Sequence, residues 1–196
     1  MLPHGRSGRV FAWLMDWLNR PAYRRAAALL DPAPGDSILE IGFGTGGLAA
    51  RLAPRLGPGQ LAGVDPSPLM VSQARRRLER LGLPVRIDLR QGTDADLDWP
   101  ALSFSHVAAL HSFQFWKAPE RTLPRLWELL QPGGRLLLIL RAHGSRAPPW
   151  LANPVSRSGA EVEGTVQALR EAGFAEVARH APVGRSVVIT ARRARV

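Results

Sequence analysis

The chain has 196 residues, 45% of them hydrophobic and 21% charged, which is enough apolar material for the core of a single domain. It has no cysteine, so disulfides, a thiolate nucleophile and a cysteine zinc site are excluded, and no apolar run approaches the ~18–20 residues of a membrane-spanning helix. The formal net charge of +10 is almost wholly arginine, since Lys117 is the only lysine. Scattered arginines such as Arg75, Arg76, Arg77 and Arg80 read as a solvated surface rather than a stripe for nucleic acid.

At the N-terminus, Phe11, Leu14, Met15 and Leu18 share one helical face, and Asn19 with Pro21 starts a second helix through Ala26 and Leu30. Trp13 and Trp17 form a neighbouring stripe, which either packs on the core or walls a substrate pocket as part of a lid. The Pro34-Gly35-Asp36 turn then introduces a first strand, Ile38–Ile41, followed by a glycine-rich turn and a helix over Leu48–Leu56. Leu61–Val64 reads as a second strand, and Ser67-Pro68 caps a helix running to about Leu81, with Gly82 beyond its end. Val85–Leu89 is a third strand and Val107–Leu110 a fourth, its start open as far back as Phe104.

Pro119 opens a helix carrying Leu123, Leu126, Leu129 and Leu130, which the Pro132-Gly133-Gly134 turn stops before a fifth strand, Arg135–Leu140. The unbroken apolar run Leu136–Leu140 fits a central strand buried on both faces. Glu161–Ala172 is a last helix, ended by Gly173. Two closing strands, Ala175–Ala178 and Ser186–Thr190, join through Pro182-Val183-Gly184, and so short a link requires an antiparallel hairpin. Strands alternating with helices predict a parallel α/β sheet.

The stretch Glu40-Ile41-Gly42-Phe43-Gly44-Thr45-Gly46-Gly47 follows a strand and opens a helix. Glycines there permit a sharp turn and close ligand approach, and the helix N-terminus offers unsatisfied N–H groups. Gly42, Gly44 and Gly47 also satisfy the dinucleotide-binding spacing, so the glycines alone do not choose a ligand. Glu40 opposes a pyrophosphate and suits an ammonium group, while Asp65 at the end of the second strand suits the hydroxyls of a ribose.

The run Ser37–Gly46 resembles the first motif of class I S-adenosylmethionine (SAM)-dependent methyltransferases, and Gly63-Val64-Asp65-Pro66-Ser67 resembles their acidic second motif. Gln91–Leu97 resembles the segment that lies against adenine, and Leu129–Leu136 the turn into their fifth strand. The resemblance covers roughly residues 34–188 and is closest to the small-molecule, ubiquinone-biosynthesis-like branch (methyltransferase type 11). It implies a doubly wound, Rossmann-like sheet of seven mostly parallel strands with the last antiparallel. The expected layout is a single domain over residues 1–196, with a helical lid over 1–30 and the core over 34–196. A cytoplasmic location is expected, with no membrane partner and no nucleic acid; the oligomeric state is open.

By the same resemblance SAM is the cofactor. Gly42, Phe43, Gly44 and Gly46 would receive its methionine part, with Glu40 near the amino group. Asp65 would hold the ribose, and Pro66, Thr93 and Asp94 would border the adenine, although Thr93 stands where many members carry Asp. His111, just past the fourth strand, falls near the methyl group and is the candidate general base, because imidazole titrates near neutrality. Trp13, Trp17 and His143 are candidates for the acceptor side; His106 falls within a strand and should pack, and His4 and His180 look peripheral. No metal is expected. The expected reaction is methyl transfer to an O, N or C nucleophile of a small molecule. An NAD-dependent oxidoreductase and a non-catalytic SAM- or RNA-binding module stand as alternatives.

Overall fold

The computed structural model describes residues 16–142 and 156–195. In chain order the elements are α1 (Arg20–Leu30), β1 (Ser37–Ile41), α2 (Gly47–Leu56), β2 (Gln60–Asp65), α3 (Pro68–Glu79), β3 (Arg86–Gln91) and β4 (Phe104–Leu110). A short 3-10 turn (Phe113–Phe115) leads to α4 (Pro119–Leu129), β5 (Leu130–Arg141), α5 (Gly159–Glu171), β6 (Ala175–Val183) and β7 (Ser186–Arg192). The seven strands form one sheet in the order β3-β2-β1-β4-β5-β7-β6. β7 runs antiparallel to both its neighbours, and the remaining pairs are parallel.

Alternation along the strands divides the core in two. Leu39, Ile41, Val107, Ala109, Leu136 and Leu138 face α4 and α5, meeting Leu126 and Leu169. Ile38, Ala108, Leu137 and Ile139 face the other way, onto Leu30 of α1, Leu48 and Leu52 of α2 and Ala74 of α3. The apolar run of β5 is therefore buried because helices cover both of its faces. Among the described residues no helix is long and apolar enough to cross a membrane.

Several boundaries depart from the sequence reading for local reasons. Pro132-Gly133-Gly134 is not a turn ahead of β5 but lies inside it. The helix ends at Leu129, and Leu130 already pairs with Phe104, while Gly133 and Gly134 exchange hydrogen bonds with Arg193 at 2.9 and 3.0 Å. α3 stops at Glu79 because Leu81 and Gly82 fold back onto the carbonyls of Leu78 and Glu79, with Gly82 at a φ of 60°. α5 starts at Gly159, two residues early, because Ser158 and Glu161 form a reciprocal capping box. β6 runs on to Val183, and Pro182 is tolerated there because β6 is the outermost strand.

α1 forms where Asn19 and Pro21 predicted a helix, and it buries Ala22, Ala26, Ala27 and Leu30. The guanidinium of Arg135 donates to the carbonyls of Leu29 and Leu30, holding the helix end against the sheet. One face of residues 20–30 thus packs into the core. Leu18, placed by its spacing on an apolar face, is 53% exposed. Phe11, Trp13, Leu14 and Met15 lie outside the described residues.

Candidate functional site

β1 leads outward to β2 and β3, whereas β4 lies on the other side of β1, so the winding reverses between β1 and β4. In open α/β sheets ligands bind beyond the carboxyl ends of the strands at that reversal. A cleft of about 480 Å³ opens there. It is lined by Ile41 and Gly42 after β1, Val64, Asp65 and Pro66 at β2, Gly92, Thr93 and Asp94 after β3, and His111, Ser112, Phe115 and Trp116 after β4.

The loop after β1 turns on three glycines of positive φ, at 74° for Gly42, 54° for Gly44 and 74° for Gly46. A Cβ on Gly42 would collide with Ser112, so the absent side chain lets the β4 loop close on β1. At Gly44 the space a Cβ would take is open to beyond 4 Å, leaving bare backbone for a ligand to approach. Asp65 joins this loop to β2: one carboxylate oxygen accepts from the Gly44 amide at 2.8 Å and the other from the Ser67 amide at 2.9 Å. Burial pushes the Asp65 carboxyl above its ordinary range, against the pull of these two amides.

Glu40 sits beneath the loop rather than on the cleft wall, and its Oε2 has no partner among the described residues. Burial first, and then the charge of Asp65, push its carboxyl up to about 8, against the Ala49 amide and Arg77. Alongside lies a latch that holds the N-terminal segment to the glycine loop. Asp16 accepts from the Thr45 hydroxyl at 2.9 Å and pairs with Arg77 at 3.0 Å. Gly47 makes this possible, since a Cβ there would strike both Asp16 and the Tyr23 ring.

On the far wall, the Thr93 amide and hydroxyl both donate to Asp96, at 2.8 and 2.9 Å, making Asp96 a turn residue. Asp94 accepts from Thr122 of α4 at 2.8 Å. His111 is held at a φ of 56°, its amide donating to the Ile139 carbonyl at 2.8 Å and its own carbonyl accepting from Gln114. Its Nδ1 is buried and without a partner among the described residues, as is Nε1 of Trp116. Burial, and after it the charge of Arg141, bring the His111 ring down to about 4. Among the described residues no cluster of His, Asp and Glu could hold a metal.

Of the residues singled out from sequence, Gly42, Asp65, Pro66, Thr93, Asp94 and His111 meet at this one cleft, and Gly44 and Gly46 shape its loop. Phe43 is a correction: its ring is buried and lies over Gly63, filling the gap left by that residue's missing side chain, so only its backbone belongs to the loop. Trp17 is 52% exposed and does not line the cleft. Trp13, His143 and His4 lie outside the described residues. His106 packs within β4 against Asp36 at 3.0 Å, and His180 bonds Thr190 at the sheet edge. Ser112, Phe115 and Trp116 were missed because a short apolar turn carries no spacing by which pocket can be told from core.

A seven-stranded sheet with β7 alone reversed, and a cleft at its switch point bounded by a glycine loop and an acidic β2 terminus, defines the Rossmann-like methyltransferase architecture. Residues 38–134 match the family model described as a methyltransferase domain. The chain is 34% identical over 174 residues to erythromycin 3''-O-methyltransferase of Saccharopolyspora erythraea, covering 81% of this chain and 57% of that one. It is similar in fold to a SAM-dependent methyltransferase from Aquifex aeolicus, with a TM-score of 0.74 at 18% identity over 92% of this chain and 97% of that one. It is also similar in fold to the [4+2]-cyclase SpnF, with a TM-score of 0.70 at 19% identity over 88% and 80% of the two chains. This chain belongs to the class I SAM-dependent methyltransferases. It spans between half and two thirds of the length of that O-methyltransferase and of two other curated relatives, and less than half of some others.

Proposed function

We propose that this chain binds SAM across the cleft and transfers its methyl group to an O, N or C nucleophile of a small-molecule acceptor. One observation carries the reading: Gly42, Asp65 and His111 line the same cleft, and Asp65 is hydrogen-bonded to the glycine loop at the Gly44 amide. The residues present fit the cofactor. Each Asp65 oxygen keeps a lone pair beyond its amide bond and can accept from a ribose hydroxyl. The Oε2 of Glu40, unpartnered among the described residues, would lose its proton and pair with an ammonium group reaching it through a water, and Pro66, Thr93 and Asp94 form a wall for a flat base.

Bound SAM supplies a methyl group on a positively charged sulfur that leaves without activation. The protein's task is therefore to hold the acceptor in line and keep water out, which can lower a barrier by roughly 7–11 kcal/mol in favourable cases. His111 is neutral at pH 7 and offers a ring nitrogen to an acceptor hydroxyl. Burial is the larger cause of its low pKa and the charge of Arg141 the smaller, so compensating that charge when the acceptor binds would make the ring a better base. The relative named as an O-methyltransferase supports an oxygen acceptor for this chain as well.

A fold shared with a cyclase does not fix the reaction, so binding and turnover must be measured directly. Calorimetry with SAM, S-adenosylhomocysteine (SAH), NAD and a short RNA should give heat with the first two alone. Binding of NAD, or of neither SAM nor SAH, overturns the reading.

A further inference from the structure

β5 runs parallel to β4, so its carboxyl end lies at the same end of the sheet as the cleft, and its last residue is Arg141. The carbonyl that holds the His111 amide belongs to Ile139, two residues earlier on the same strand. Arg141 is half-buried, and no carboxylate pairs with it among the described residues. Its neighbour Arg157, whose amide donates to the Arg141 carbonyl at 2.8 Å, is by contrast neutralised by Glu161 at 3.1 Å. The two stretches outside the described residues nearest the site in sequence, 1–15 and 143–155, contain no Asp or Glu at all. They carry Arg6, Arg9 and Arg146 instead.

A partly desolvated guanidinium without a counter-charge is costly, and protein interiors resolve it by pairing. Among the described residues no acid meets this one. We infer that the acceptor supplies it: the substrate is a small molecule bearing an oxyanion, and Arg141 pairs with that charge beside His111. Guanidinium suits a carboxylate or phosphate through its two parallel N–H donors. Compensation of the Arg141 charge also removes one of the two influences that hold the His111 ring hard to protonate. Arg141 is thus a specificity-determining residue for the acceptor, and this rests on the methyltransferase reading.

The test is calorimetry on the full chain, with and without saturating SAH, using 4-hydroxybenzoate, its neutral methyl ester and inorganic phosphate as probes. The acid should bind at least about tenfold more tightly than the ester, a preference lost in Arg141→Gln and partly kept in Arg141→Lys. A response to phosphate as strong as that to the acid would place the recognition in the oxyanion alone. NMR titration of the His111 ring should show its pKa rising in Arg141→Gln, which checks that the two groups lie together, while the acid-over-ester preference separates recognition from a merely structural role. Equal binding of acid and ester, no binding of any probe, or an acid preference unchanged in Arg141→Gln overturns the inference. Failure of SAH to bind would instead sink the methyltransferase reading, and the probes could still be compared on the chain without it.

Discussion

The amide of Gly44 donates to Asp65 at 2.8 Å, so the loop after β1 and the end of β2 are one bonded unit. Asp65→Ala removes both the shape of that unit and the acceptors offered to a ribose. Hydrogen bonds to a charged group are worth roughly 1.5–3 kcal/mol each. Loss of even one such bond should lower SAH affinity by about tenfold to a hundredfold, and loss of both by more, read by calorimetry, with circular dichroism confirming a folded chain. Unchanged affinity would remove Asp65 from the binding site.

Gly44 and Gly42 should respond differently to the same substitution. Gly44→Ala meets no atom but must hold a positive φ, a cost of roughly 1–2 kcal/mol. Its Tm should drop by a few degrees while SAH binding is largely lost, because the methyl group enters the open space over the loop that the proposed function gives to the ligand. Gly42→Ala collides with Ser112 and should show the larger loss of Tm. Thermal melts with and without SAH separate the two; equal melts would argue against this division.

Glu40 makes stability depend on pH. Its carboxyl is pushed up to about 8 from an ordinary 4.5, so between those values the folded chain holds a proton that the unfolded chain has lost. The stability associated with that proton is full below about pH 4.5 and lost as pH rises through about 8. Glu40→Gln has no such proton to lose, so its Tm relative to the parent should climb steadily from pH 5 to pH 8. Parallel Tm curves across that range would mean Glu40 ionises normally.

The His111 ring is brought down to about 4, so without acceptor it should show no titration between pH 6 and 8 by NMR. His111→Asn keeps a side chain tolerated at positive φ and His111→Ala does not, so the Asn variant should fold more stably. Both should lower kcat by tenfold or more once an acceptor is in hand. A full kcat in His111→Ala would remove the ring from the chemistry.

Asp16 ties the N-terminal segment to Thr45 and Arg77. Because Arg77 is 38% exposed, solvent screens the pair and the stability at stake is about 1 kcal/mol or less. Asp16→Asn should therefore barely move the Tm, yet weaken SAH several-fold by loosening the glycine loop. A large Tm loss with intact SAH affinity would make the contact a purely structural strut.

Much of this site is legible along the chain because its parts are local. Gly42, Gly44 and Gly46 announce a turn that only glycine makes easily, and Asp65 announces a carboxylate at a strand end, each within a few residues of its element. Phe43 misleads for the same reason: within the motif its position suggests the ligand, whereas the space over Gly63 claims its ring. Pro132-Gly133-Gly134 reads as a turn until Arg193, sixty residues on, is seen to pair with it.

By itself the sequence determined the order of strands and helices, the reversal required by the closing hairpin, and the chemistry of the loop, since these follow from periodicity and backbone sterics over short spans. Only the tertiary structure decided that one face of α1 joins the core, that Glu40 is buried off the cleft wall, and that among the described residues neither its Oε2 nor the Arg141 guanidinium meets a partner of opposite charge. Those are matters of burial and pairing between strands distant in sequence, and no local pattern encodes which charges a fold will bring together or leave alone.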